Sequence, residues 1–468
     1  MSRIPSRFAV LALAAALSAC AAVGPDYHAP EAPPVAIANA QSAAFVTQNP
    51  EAAWWRGFDD PVLDRLVTRA LEANLDLRVA VDRVLAARAV FDESSFDRGP
   101  HVQSGASYAS ARQQVAGTGS ERVDVESAQI GFDARWEIDL FGHVRRSIEA
   151  ARADLGASEA ALRDAQVTVA AEVARQYFQL RSVQKRLDIA RRDLAAEQKT
   201  TELTQVRYDA GRVTELDVQR AIGRLHAVEA TIPQLQAAEK RGFYRIAVLL
   251  GENPGALDDS LVAVESAPWA KALPIGDVSD LLRRRPDVRI AERELAAATA
   301  RVGVATADLF PRVHVSGFVG FLSGDLGPLF ASGGGTDTSA WSITPSVTWP
   351  AFDLGSVRAR LRASEARSDA AAARYELAVR TALEDTENRF VEYAAQQTRL
   401  RSLGGQAEAS RRAAELAGIQ YREGVTDFLT LLDAQRTLLE AEDAVAQAQG
   451  DVNVSVVGIY KALGGGAL

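Results

Sequence analysis

The chain has 468 residues, of which 24% are charged, and its formal net charge is -9. This length fits one large or two ordinary domains, and so many charges exclude a bundle of membrane helices. Because the chain is acidic and lacks a cluster of Lys and Arg, a nucleic-acid partner is also excluded.

The N-terminus has the features of a bacterial signal peptide over residues 1–19. Two arginines precede an apolar run at residues 8–17, which is too short to cross a bilayer. The run ends in Leu-Ser-Ala before Cys20, the only cysteine, and this ending is similar to a lipobox. We therefore expect cleavage before Cys20 and lipidation of its thiol; a free thiol behind an ordinary signal is the alternative.

Two copies of one unit follow a predicted arm over residues 20–59. Identical residues recur 213 positions apart, as in Trp136 and Trp349, Gly142 and Gly355, Arg145 and Arg358, Tyr208 and Tyr421, Gly211 and Gly424, and Leu216 and Leu429. Upstream the offset is 211, as for Asp76 and Asp287, so the second copy has gained two residues in its hairpin. We predict repeats over 60–251 and 277–468, joined by a linker over 252–276.

Each copy is predicted to contain a helix, two strands, a long helix, a turn and a return helix. In the first copy the β-hairpin, long helix and return helix are expected at about 101–139, 142–208 and 214–250. In the second copy they are expected at about 312–350, 354–422 and 426–463. Pro233 predicts a kink or a break in the first return helix. The turn-rich segments 116–120 and 332–336 are predicted hairpin tips.

The predicted strands alternate apolar and polar residues, as Trp341, Ile343 and Val347 do with their neighbours. Four strands of about ten residues cannot close a barrel, although a transmembrane sheet must close to pair its backbone groups. Either the sheet is half-buried in a soluble domain or several chains contribute to one barrel. In the second case, Trp136, Trp341 and Trp349 near the strand ends suit an aromatic girdle at the membrane interface.

The long helices show coiled-coil-like periodicity. Between Gly142 and Tyr208 there is no proline, so this helix would extend roughly 100 Å. Apolar residues recur along it at seven-residue spacing with one four-residue step, which indicates packing with a change of phase. A dimeric coiled coil gives the same periodicity, but paired strands would not interrupt it at equivalent places in both repeats.

The sequence carries no motif for catalysis. The five histidines lack metal-ligand spacing, and no nucleotide-binding or nucleophile motif is present. The scattered Asp and Glu residues are expected on the solvated faces of charged helices. We therefore predict a protein that is not an enzyme, with no catalytic residue, no metal site and no cofactor.

Several short motifs carry a family resemblance over nearly the whole mature chain. They are Val23-Gly-Pro-Asp-Tyr27, Trp54-Trp55 with Phe58-Asp-Asp-Pro61, Asn74-Leu-Asp-Leu77, Arg285-Pro-Asp-Val288, Ala307-Asp-Leu-Phe-Pro311, Phe352-Asp-Leu-Gly355 and the segment 421–435. In this order they resemble the TolC-type outer membrane efflux family, and within it the NodT-like lipoprotein branch. Members of this branch serve tripartite pumps of the resistance-nodulation-division type.

The resemblance implies a mainly α fold with a small transmembrane β part. Three chains would together form a twelve-stranded β-barrel that continues into a periplasmic α-helical barrel. The implied function is a passive exit duct for drugs or other small molecules, anchored by lipid in the outer membrane. The implied partners are two further copies, a periplasmic adaptor, an inner-membrane transporter of the resistance-nodulation-division type, and outer membrane lipid.

The resemblance also implies a gate at the periplasmic end. Leu429 and Asp433 would form an apolar and an anionic ring, while Tyr421 and Arg436 would be latch residues that bond Asp217 of the neighbouring turn. Three Asp433 carboxylates around one axis repel each other, so the latches must hold the gate closed and a cation could bind there. Alternatively, Asp433 and Arg436 are an ordinary pair on a helix surface.

The turns beside the gate are the implied adaptor-docking surface, with Gly211 and Val213 in the first copy and Gly424 and Val425 in the second. Both glycines also suit helix C-caps. Two other functions share parts of this pattern. One is the outer membrane duct of a type I protein secretion system, and the other is a structural coiled-coil lipoprotein whose strand pairs lie in water.

Overall fold

The computed structural model describes residues 22–30, 37–41, 44–49, 51–114, 122–257, 261–263, 266–276, 281–327 and 338–465. Cys20 and the two predicted hairpin tips, at 116–120 and 332–336, lie outside the described residues. Two compact units are formed, and each takes segments from both copies of the repeat. The first unit contains the described parts of Met1–Glu31, Arg83–Glu159 and Ile290–Glu376, and the second contains the remainder.

A four-stranded antiparallel sheet dominates the first unit. Its strands are β1 (His101–Gln114), β2 (Arg122–Ile138), β3 (Arg312–Ser323) and β4 (Ser339–Thr348), and they are arranged in chain order. The register aligns Phe132 with Ser104 on one side and with Val319 on the other. Within the described part of the chain, β1 and β4 each pair on one side only, so the sheet has two open edges.

The two faces of the sheet differ in polarity, as the alternation predicts. The apolar face carries large side chains that are exposed in the single chain: Val102, Tyr108, Ile130, Phe132, Trp136, Val319, Phe321, Trp341, Ile343 and Val347. The opposite face carries polar residues such as Gln103, Asp133 and Ser342. An exposed apolar face of this extent marks a surface that needs a nonpolar partner.

Each copy begins with two helices where the sequence predicts one. In the first copy α1 (Pro61–Ala73) and α2 (Leu75–Phe96) are separated by Asn74, whose side chain accepts bonds from the Asp76 and Leu77 amides. In the equivalent position of the second copy, Arg285 separates α5 (Leu281–Arg284) from α6 (Pro286–Ala307). A capping side chain and a helix-starting proline therefore cause the two breaks.

Four long helices complete the two copies. They are α3 (His143–Asp209), α4 (Glu215–Leu249), α7 (Leu354–Arg422) and α8 (Phe428–Ala462). The break considered at Pro233 does not occur, because α4 is continuous through it. Pro233 is exposed, where the loss of one backbone hydrogen bond is least costly.

The core of the second unit contains a cluster of aromatic rings. Trp54 stacks on Tyr460 at 5.1 Å between ring centroids, and Phe58 packs against both Phe178 and Trp269. Beside them the two-residue strands Phe45–Val46 and Leu273–Pro274 pair in parallel. The arm and the linker therefore supply residues to this core, which explains the paired tryptophans and the Phe-Asp-Asp-Pro motif of the sequence.

Candidate functional site

The two turns that join the long helices have the same geometry. Gly211 ends the turn after α3 and Gly424 the turn after α7, with φ of +68° and +76°, which a residue with a side chain rarely adopts. In each turn the glycine amide bonds the carbonyl three residues back, and the following amide bonds the carbonyl five residues back. Both are Schellman-type helix ends, as the sequence predicts for these glycines.

Arg207 connects the end of α3 to the end of α7, a contact that the sequence did not reveal. Its guanidinium donates to the Tyr421 and Arg422 carbonyls at 2.9 and 3.0 Å and lies 4.3 Å from the centre of the Tyr421 ring. Basic residues are favourable at the carbonyl end of a helix, so the sequence could have indicated that Arg207 binds terminal carbonyls. The carbonyls that Arg207 binds, however, belong to the other copy.

Tyr421 is buried, with 2% of its surface exposed, and packs against Phe428 at the start of α8. Its hydroxyl is enclosed and has no hydrogen-bond partner among the described residues. The cost of burying this hydroxyl is therefore not offset by a bond within the described part of the chain.

The first turns of α8 carry the predicted gate residues. Asp427 caps the helix by accepting a bond from the Thr430 amide at 2.8 Å, and bonds from the Thr430 side chain and backbone lower its pKa. Leu429 is half exposed. Arg436 donates to Asp433 at 2.8 Å, and both side chains are mostly exposed. Within one chain, therefore, Asp433 and Arg436 form the surface pair that the alternative interpretation describes.

Asp217 lies at the start of α4, beside the other turn. It accepts bonds from the Thr214 amide at 3.1 Å and hydroxyl at 2.8 Å, and Arg220 is 3.9 Å away. Its partners in the single chain are thus the capping residue and its own helix. The adaptor-docking candidates lie on the same turns, where Val213 is half-buried and Val425 is 75% exposed.

The predicted girdle residues lie at two levels of the sheet. Trp136 and Trp349 follow the same pattern, since each indole donates at 3.0 Å to a backbone carbonyl, of Arg98 and Leu309 respectively. Trp341 is 77% exposed on the apolar face. An indole with an apolar ring and a satisfied N–H suits a membrane interface.

Three of the five histidines meet on the polar side of the sheet, although their spacing in sequence shows no pattern. His101, His143 and His314 line one cavity of about 630 Å³. Glu137 lies 3.4 Å from His143 and 4.0 Å from His314. Burial, with help from the Arg312 charge, lowers the pKa of His143. This end of the sheet therefore has a polar, titratable lining.

Neither a metal centre nor a membrane-spanning helix is found in the described part of the chain. There, no three His, Cys, Asp or Glu side chains meet in a metal-binding arrangement. None of the helices described combines the length and apolar character that crossing a bilayer requires.

Duplicated long helices joined to an open sheet with an apolar face define a class of protein, the outer membrane channels that extend into the periplasm. The family model described as "Outer membrane efflux protein" matches residues 66–252 and 278–465, one segment in each copy. The chain belongs to this family.

Relatives match over almost the full length. Outer membrane protein OprJ of Pseudomonas aeruginosa is 32% identical over 97% of this chain and 95% of its own. The toluene efflux pump outer membrane protein TtgC of Pseudomonas putida is 33% identical over 96% and 93%. The solved structure of the outer-membrane channel OprN is 49% identical, with a TM-score of 0.91 over 95% of this chain and 99% of that one. The chain is accordingly an outer membrane protein with a TolC-like fold.

Proposed function

We propose that the protein is the outer membrane exit duct of a tripartite efflux pump and conducts small molecules passively to the outside. The observation that carries the proposal is the open four-stranded sheet, whose apolar face is exposed in the single chain. Such a face suits lipid and is a liability in water. The family membership supports the same function.

The proposed assembly is a homotrimer. A sheet in hydrocarbon must close, and β1 and β4 are left with one unpaired edge each. Three copies joined edge to edge give twelve strands, an even number within the range of transmembrane barrels. The polar face of the sheet, with the three histidines and Glu137, then lines the lumen.

The proposed gate is formed where three copies of the α7 and α8 turn meet. Leu429 is half exposed and Asp433 mostly exposed in the single chain, so both are accessible for the formation of rings around an axis. The enclosed Tyr421 hydroxyl and the Arg436 guanidinium are the proposed latches, with Asp217 of the neighbouring turn as their acceptor. A proton or a cation at the Asp433 ring would relieve the repulsion of its three carboxylates.

The proposed partners are a periplasmic adaptor and an inner-membrane transporter of the resistance-nodulation-division type. Val425 and the two glycine turns form the docking surface for the adaptor, because they combine an exposed apolar side chain with open backbone. The relatives named for antibiotic and toluene efflux suggest drugs and small apolar molecules as cargo. Lipidated Cys20 is the proposed membrane anchor.

Planar-bilayer recordings of the purified oligomer test this function. We expect stepwise single-channel conductance that divalent cations reduce from the periplasmic side. Asp433→Asn should remove the cation sensitivity because it removes the anionic ring. Glu415→Gln, an exposed acid on α7 that pairs with Arg412, should leave it unchanged. A monomer without conductance would refute the duct, and equal block in both variants would refute the gate.

A further inference from the structure

The first described residues of the chain lie in a fitted site on the first unit. The Val23 amide donates to the Phe141 carbonyl at 3.0 Å, which fixes the arm at the corner between β2 and α3. Phe141 in turn stacks on Phe310, which follows α6. The arm therefore lies where the hairpins of both copies leave the sheet.

The Arg146 side chain forms hydrogen bonds to this arm. This side chain is 5% exposed and donates to the Val23 carbonyl at 3.2 Å, the Gly24 carbonyl at 3.4 Å and the Asp26 carboxylate at 2.7 Å. Glu149, one turn further along α3, accepts a hydrogen bond from another nitrogen of the Arg146 guanidinium at 2.8 Å. A buried arginine that spans two consecutive carbonyls and a carboxylate recognises a backbone in one conformation.

Glycines allow the arm to approach this closely. A Cβ on Gly142 would lie 2.5 Å from the Ala22 Cβ, and one on Gly24 would lie 2.6 Å from the Gly303 Cα. Gly24 and Gly142 also have φ of +87° and +90°. The contact thus requires the absence of a side chain on both the arm and its receptor.

Tyr27 provides a second attachment, on α6. Its hydroxyl donates to Glu292 at 2.5 Å, and the Arg293 guanidinium lies 5.6 Å from the centre of its ring. The ring packs against Ala153, Ala296 and Ala297. Since Arg146 belongs to the first copy and Glu292 to the second, the arm is attached to both.

The equivalent corner of the second copy lacks these features and serves as an internal comparison. Ala359 stands where the first copy has Arg146, and Asp92 where the second copy has Gly303. A Cβ on Gly355, the counterpart of Gly142, would meet nothing within 4 Å, and Phe352 nearby is fully exposed. The pocket is therefore specific to the corner that receives the arm and is not a general requirement of the fold.

We propose that Arg146, Gly142 and Gly303 form a docking site for the chain's own residues 22–27, and that this site positions the lipid-bearing N-terminus. Two residues can carry Cys20 only about 7 Å from Ala22. Docking of Ala22 beside Gly142 therefore limits how far the lipid-bearing residue can lie from the corner between β2 and α3. The statement that the arm carries a lipid rests on the proposed lipidation of Cys20. The docking of residues 22–27 does not rest on it.

Hydrogen exchange of the arm, measured by mass spectrometry on the full-length protein in lipid nanodiscs, tests the docking site. In the wild type the Val23 amide should be protected. Arg146→Ala should raise its exchange rate roughly 10- to 100-fold, the factor that hydrogen bonds to a charged group supply. Arg146→Lys should give an intermediate rate, because an ammonium ion can replace the Asp26 contact but cannot span both carbonyls.

Two control variants keep the test independent of folding. Gly24→Ala changes only the arm and should release it as fully as Arg146→Ala. Arg152→Ala removes an arginine further along α3, whose guanidinium lies 5.4 Å from the centre of the Phe91 ring, and should leave Val23 protected. Protection of Val23 in Arg146→Ala, or its loss in Arg152→Ala, would overturn the docking site.

A third variant separates docking from lipidation. Cys20→Ala, exported with an ordinary cleavable signal, should retain the protected Val23 amide because the site holds the arm without lipid. Loss of protection in this variant would show that the membrane holds the arm, and would overturn the proposal even if lipidation and conductance were both demonstrated.

Discussion

Asp193 and Glu197 lie one turn apart on α3, and both face Arg224 of α4. Arg224 is 3.2 Å from Glu197, which is 1% exposed, and 3.4 Å from Asp193. Burial and the neighbouring Glu197 charge raise the pKa of Asp193 to about 6, although Arg224 opposes the shift. The Arg224 guanidinium therefore contacts two enclosed carboxylates. Of these, Asp193 takes up a proton in mildly acidic surroundings.

This pair predicts a pH dependence of stability. The folded pKa of Asp193 is raised above its ordinary 3.8, so the folded state binds the proton more tightly than the unfolded chain. Its contribution to the free energy of unfolding is full below pH 4 and is lost as the pH rises to about 6. Asp193→Asn should remove this loss. The thermal midpoint of the variant, relative to that of the wild type, should therefore increase between pH 4.5 and 7.

The exposed acid Asp188, paired with Arg192 on the same helix, is the matched control. Asp188→Asn should follow the wild-type pH curve, measured by circular dichroism of the purified protein. Parallel curves for Asp193→Asn and the wild type would contradict the prediction.

The sequence places Asp193 and Glu197 on a charged helix and predicts a solvated face for both. That expectation is wrong for Glu197, because the enclosing partner lies on another helix.

At the scale of elements, a row of glycines crosses the sheet. Gly105 pairs with Gly131, and Gly131 pairs with Gly320, so three adjacent strands lack a side chain at one level. The Phe318 ring covers the last two: its edge would lie 2.7 Å from a Cβ on Gly131 and 2.9 Å from one on Gly320. The aromatic ring therefore occupies the space that side chains on these two glycines would need.

The glycine row predicts different outcomes for two substitutions in β3. A Cβ on Gly320 would overlap the Ile130 carbonyl and lie 2.5 Å from the Gly131 Cα, so Gly320→Ala should destabilise the sheet by about 1–3 kcal/mol. A Cβ on Gly317 meets its nearest atom at 3.6 Å, so Gly317→Ala should be neutral. Thermal unfolding of both variants gives the comparison, and equal midpoints would contradict the prediction.

The sequence predicts the strands from their alternation, and it places the long helices within one or two residues of the observed ends. It did not predict the glycine row, because a cross-strand row exists only once the register of three strands is known. The second helix at the start of each copy was missed for a different reason. Asn74 and Pro286 are helix-start signals, but they lie within an otherwise continuous run of helix-forming residues.

For the whole molecule, duplication within one chain produces a structure that is still incomplete. The repeat offset reveals both copies, and the resulting four strands leave two open edges and an exposed apolar face. Neither the arm's attachment nor the Arg207 contact follows from the repeat, because Ala359 and Gln420 stand in the second copy where the first has Arg146 and Arg207. Such asymmetric contacts depend on the folded arrangement and not on a periodic pattern.

The two faces of β4 predict opposite outcomes for two triple variants. The first replaces the apolar side chains by serine: Trp341→Ser, Ile343→Ser and Val347→Ser. The second changes the opposite face to alanine: Ser342→Ala, Thr344→Ala and Ser346→Ala. In a sheet that faces lipid on its apolar side, burial stabilises by about 1.5–3 kcal/mol per large side chain, so only the first set should prevent assembly.

The measurement is the oligomer that survives SDS without heating, quantified from isolated outer membranes. A lipid anchor by itself retains a chain at the membrane but supplies no strand pairing, so this readout reports closure of the sheet and not attachment. The serine set should abolish the oligomer, while the alanine set should keep it near the wild-type amount. Equal loss in both sets would contradict the prediction, because burial of the apolar face alone makes the two faces differ.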